Sequence, residues 1–179
     1  MTDVSAVDRE AADVESARVV PGLPWLLRLH AVWPRVRWFG LFGAACIVGG
    51  GLVAAASAPA HSELGTWAAA YLVLVGGAAQ IALGVAQAVL SPGRPSAVAV
   101  DVQVVLFNAG NAAVVAGTAA GVHVLGDAGG LLLLGALALS VCAVRGVGGR
   151  AAGLYRTLVV VLALSIPVGS VLARLHPMR

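Results

Sequence analysis

The sequence predicts an all-α fold, a polytopic transmembrane helix bundle of about five spans with its N-terminus on the cytoplasmic side. Three observations predict it. The 179 residues are 60% apolar and only 11% charged, whereas a soluble domain is about 45–50% apolar and about 25% charged. Apolar runs of roughly 20 residues then follow one another from Trp38 onward, and about 20 residues rising 1.5 Å each cross a hydrocarbon layer of about 30 Å. Finally, the arginines gather in alternate loops, as the positive-inside rule requires. The same composition excludes a water-soluble globular enzyme. It also excludes a collagenous chain, because the 23 glycines follow no period of three.

Residues 1–22 read as a disordered acidic tail. Within the first 20, Asp3, Asp8, Glu10, Asp13 and Glu15 stand against Arg9 and Arg18, and apolar periodicity is missing. Residues 23–37 read as an interfacial juxtamembrane segment. Trp25, Trp33 and the adjoining Trp38 alternate with Arg28, His30, Arg35 and Arg37. Indole rings favour the headgroup layer and arginines its phosphates. A short helix lying on the membrane, broken at Pro34, is expected here.

Residues 38–179 form the bundle, with spans expected at about 38–58, 66–90, 98–125, 129–146 and 155–175. Ala56-Ser57-Ala58 has the small-residue pattern of a signal cleavage site. The apolar run before it is long for a signal peptide, so an uncleaved span is expected. The third and fourth spans are divided at Gly126-Asp127-Ala128-Gly129-Gly130, a turn-forming cluster with a charge. All 11 basic residues are arginine. Nine of them precede the first span or lie in the second–third and fourth–fifth loops, while the other two loops carry Glu63 and Asp127. This sets the N-terminus inside and the C-terminus outside, with Arg174 and Arg179 as the discordant pair. The expected location is the plasma membrane, multi-pass.

Intramembrane polar side chains are costly and should face other helices or a cavity. On the second span Gly76, Gly77, Gln80, Gly84 and Gln87 share an arc of about 100°. On the third, Asp101, Asn108, Asn111 and Thr118 share a similar arc. Connected antiparallel around Ser91–Ser96, the two stripes should face each other, Gln80 level with Asn108 and Asn111, and Gln87 with Asp101. Their role is interhelical bonding or the lining of a candidate cavity. On the fifth span Pro167 lacks an N–H and should kink the helix as a hinge, with Ser165 and Ser170 bonding freed carbonyls.

His61, His123 and His176 fall on the expected outer side with Glu63 and Asp127, a weak candidate set for a metal or haem iron. Their spacing matches no metal motif, so no metal site and no cofactor is expected. Cys46 and Cys142 both fall inside apolar runs and read as buried small hydrophobes. Neither a Ser-His-Asp set nor a Cys nucleophile can be assembled, so no enzyme is expected. The basic excess sits beside apolar runs and reads as membrane orientation, not nucleic-acid binding.

The stretches YLVLVGGAAQIALGVAQAVL (71–90), NAGNAAVVAGT (108–118) and SIPVGSVLARL (165–175) resemble a group of small, uncharacterised actinobacterial integral membrane proteins. An all-arginine, Ala/Gly/Val-rich composition suits such a high-GC source. The resemblance implies the helical membrane fold and no particular activity. Three functions are therefore expected in descending order. The first is a non-enzymatic accessory, assembly or structural membrane subunit, with membrane lipids and a membrane-protein partner or second copy around it. The second is a small transporter or channel subunit using the Gln/Asn/Asp stripe. The third is a haem- or metal-binding redox protein.

Overall fold

The computed structural model describes residues 23–90 and 96–175. The acidic tail and His176 lie outside the described residues. Five long helices follow in order: α1 (Leu23–Ser57), α2 (Glu63–Leu90), α3 (Ala97–Ala120), α4 (His123–Ala143) and α5 (Arg150–Leu175). Each contains a stretch long and apolar enough to cross a membrane, and no described residue is in a strand. The chain has the architecture of a multi-pass membrane protein.

The first helix departs from expectation. It runs unbroken through Pro34 for 35 residues, so no break separates a juxtamembrane piece from the first span. Proline removes one backbone bond, and a helix this long keeps its bonds on both sides. The Trp33 ring, lying over Gly40 two turns on, bridges the proline turn. Arg37 stands 5.2 Å from the centroid of the Trp38 ring.

α2 begins earlier than expected because Ser62 caps it, its Oγ accepting from the Gly65 N–H at 3.1 Å. The rod is not uniform. Leu72–Ala79 is a π-helix between two α-helical pieces, Glu63–Tyr71 and Gln80–Leu90.

The turn between α3 and α4 lies at Gly121-Val122, not at Gly126–Gly130. Gly121 adopts φ +67. Its N–H donates to Thr118 O at 3.3 Å, and the Val122 N–H to Gly117 O at 2.8 Å. This paired closure of a helix end is the one glycine best serves. The glycines expected to turn the chain lie inside α4 and do something else. A Cβ on Gly117 would stand 2.6 Å from the Gly126 nitrogen, and one on Gly129 2.7 Å from the Gly110 carbonyl oxygen. The cluster lets two backbones touch.

α1 and α2 close in the same way. A Cβ on Gly43 would lie 3.0 Å from Gly77 O, and one on Gly50 2.9 Å from Ala69 O. Two glycine-tightened hairpins, α1–α2 and α3–α4, are thus joined. α5 packs along α4 and the end of α2. The core gathers Leu83, Phe107, Leu133, Ala136, Leu137, Tyr155 and Val159 from the last four helices, with Val144 from the turn that ends α4. In the spanning windows of α1 and α5, 17% of residues are buried, against 33–39% in the middle three, so these two form the rim. The exterior carries exposed Val48, Leu52, Val105, Leu131, Leu154 and Val161, a surface matched to lipid tails.

α5 starts at Arg150, earlier than expected. Gly146 and Gly149 take positive φ in the loop before it, and Arg156 Nη2 donates to Val147 O at 2.9 Å. The helix continues through exposed Pro167, and Ser165 Oγ donates to Leu162 O at 2.7 Å.

Candidate functional site

Five polar residues are buried among the described residues: Gln80, Gln87, Gln103, Asn111 and Ser140, none of them charged. Four helices converge on one of them. Ser140 of α4 is fully enclosed. It accepts from Gln87 Nε2 of α2 at 3.5 Å and from Gln103 Nε2 of α3. Its own Oγ donates to Ala136 O at 3.0 Å. A hydroxyl has one donor and two acceptor positions, so this one is completely used. From α5, the Tyr155 hydroxyl donates to the Ser140 backbone carbonyl at 3.3 Å and sits beside the Gln87 side chain. The geometry makes Ser140 a hub for two amides.

A second polar contact joins α2 to α3 further along. The Tyr71 hydroxyl donates to Asn111 Oδ1 at 2.8 Å, and Asn111 Nδ2 donates to Phe107 O at 2.9 Å. Trp67 stacks on Tyr71 with centroids 5.3 Å apart. The π-helix explains how Tyr71 reaches inward. At 100° per residue, Tyr71 and Gln87 would point about 160° apart on an ideal α-helix. A π-helix bonds i to i+5 and turns roughly 80° per residue, so eight such residues unwind the rod by roughly 160°. Both side chains then face the same interior.

Between these contacts lies Gln80. It is 0% exposed, and neither its Nε2 nor its Oε1 has a hydrogen-bond partner; Gln87 Oε1 is likewise unpartnered. The expected pairing of Gln80 with Asn108 or Asn111 does not form. Asn108 is half-buried and donates to Val104 O of its own helix at 2.9 Å, and Thr118 donates to Val114 O at 2.9 Å. Asp101 is exposed and stands apart from Gln87 and its cluster. Of the six expected stripe residues, Gln80, Gln87 and Asn111 are fully interior.

Gln103, Ser140, Tyr155 and Tyr71 complete the site. The buried face of α3 is Val100, Gln103, Val104, Phe107, Gly110, Asn111 and Gly117. Its i, i+3, i+4, i+7 spacing was the available signal, and it includes Gln103 while omitting Asp101.

His61 and His123 are exposed in separate loops or helix ends, and no three His, Cys, Asp or Glu come together among the described residues. Cys46 is half-buried against Gly76, whereas Cys142 is exposed. No family model, curated protein or solved structure matches the chain.

Proposed function

We propose that this chain is a non-enzymatic accessory or assembly subunit of the plasma membrane that works through helix packing. The N-terminus lies inside, and the source is the actinobacterial group its sequence resembles. The supporting observation is the chemistry of the interior. Every buried polar residue described is an uncharged amide or hydroxyl, and Ser140, the hub, has no bonding capacity left for a reaction. A catalytic site needs an acid, base or nucleophile within reach. Inside and outside are assigned from nine arginines on one face. The rim helices α1 and α5 bury least within the chain and offer apolar faces to another membrane protein or a second copy.

The test is capture of tagged protein from native membranes in mild detergent. A membrane protein or second copy recovered in fixed stoichiometry is expected. Recovery of the chain alone as a monomer overturns the reading.

A second reading, a small transporter or channel subunit, rests on the unpartnered Gln80 amide between α2 and its neighbours. An uncharged interior suits a neutral solute better than an ion. Solute flux in proteoliposomes that falls with Gln80→Leu would support it, and flux no greater than in empty vesicles would remove it.

A further inference from the structure

We propose that the Gln80 side-chain amide holds a buried water molecule where α1, α2 and α3 meet, and that Gln87 Oε1 holds a second, separate one. An amide presents two N–H donors and a carbonyl acceptor. At Gln80 all of these are enclosed and unmatched by any protein group. Lipid tails offer no partner, so the match must come from a guest.

The surroundings define the guest. On α2, Gly84 lies about 40° round from Gln80 and faces α1, while Leu83 lies about 60° the other way and faces the core. A Cβ on Gly84 would stand 2.6 Å from Phe39 Cβ, and Leu83 is 0% exposed in the cluster with Phe107 and Leu133. Phe39 in turn packs on Val100 and Val104 of α3. The amide is thus closed in from three helices, which restricts the guest to a very small molecule. Both donors and acceptor are unmet, so the guest must donate and accept. No buried described residue is charged, so the guest is neutral. Water satisfies all three conditions and commonly makes about three bonds in such sites.

Gln87 differs, because its Nε2 already donates to Ser140 and only Oε1 is free. The two glutamines are about 10 Å apart along the helix. Buried Leu83 stands one turn between them, which makes two isolated positions and no continuous file. This inference is independent of the accessory-subunit reading, and a water held at Gln80 would remove the observation behind the transporter reading.

The chain has only three glutamines, Gln80, Gln87 and Gln103. Full-length protein labelled with 15N-glutamine in lipid bilayers therefore gives three side-chain amide signals by solid-state NMR. Transfer of magnetisation from water protons is the readout. Gln103, absent from the unpartnered set and bonded to Ser140, is the dry reference. The Gln80 signal should build up several-fold faster than that of Gln103, because transfer falls steeply with distance from the water protons. Equal rates at Gln80 and Gln103 overturn the proposal, and this comparison needs no variant. In Gln80→Met the Gln87 build-up should be unchanged; a fall there overturns the assignment of two separate waters.

Discussion

Gly110 of α3 and Gly129 of α4 meet backbone to backbone. A Cβ on the first would stand 2.9 Å from the carbonyl oxygen of the second, and a Cβ on the second 2.7 Å from the carbonyl oxygen of the first. The whole α3–α4 hairpin depends on this closeness, because side chains at these positions would push two rigid rods apart.

Gly129→Ala should therefore destabilise the bundle by about 1–3 kcal/mol through overpacking, despite alanine's better helix propensity. Gly51 is the control, since a Cβ there meets nothing within 4 Å. Gly51→Ala should be neutral or stabilise by up to about 1 kcal/mol. Reversible unfolding in mixed detergent micelles gives both values.

Ser140→Ala should remove the common acceptor of Gln87 and Gln103. Leaving buried amide donors unmatched costs about 1–3 kcal/mol. Adding Gln103→Met to Ser140→Ala should recover part of that loss, giving a coupling of at least about 0.5 kcal/mol in a double-mutant cycle. Strict additivity would mean that the two side chains do not share a bond.

Tyr71→Phe removes the hydroxyl that bonds Asn111. Interhelical bonds of this kind contribute roughly 0.6–2 kcal/mol in membranes, and a loss in that range is expected. In an Asn111→Leu background the same change should have almost no further effect. The comparison reads directly on the π-helix, which turns Tyr71 toward α3.

Membrane orientation is tested with single cysteines in a Cys46→Ala, Cys142→Ala background. His61 and Arg150 are exposed at opposite ends of the bundle. With the N-terminus inside, His61→Cys should react with an impermeant maleimide in intact cells and Arg150→Cys only after permeabilisation. The reverse pattern would invert the topology.

Number and identity of the spans were legible because length and hydropathy suffice for them: a helix either has about 20 apolar residues or does not. The glycines show where such reading stops. Gly126, Gly129 and Gly130 have the composition of a turn, yet they lie inside α4, where Gly129 and Gly130 serve close packing, and the turn belongs to Gly121. Glycine suits both purposes, and only the partner helix distinguishes them. The polar stripe divided for a similar reason. Asp101, Asn108, Asn111 and Thr118 share an arc, but the buried face of α3 is centred elsewhere and takes in Gln103. A stripe drawn through polar residues alone ignores Val100, Val104 and Phe107, which decide what faces inward. Tyr71 could not have been placed from an α-helical wheel, because Leu72–Ala79 does not turn at the α-helical rate.

The unbroken first helix gives the molecule a lever. Thirty-five residues make a rod of about 52 Å, set in an apolar layer of about 30 Å. The excess stands beyond the spanning stretch at the Leu23 end. Force applied at the Leu23 end would be carried by this continuous rod to the seam where Gly43 and Gly50 meet α2. Anything that moved the Leu23 end would thus gain mechanical purchase on the helix that carries Gln80.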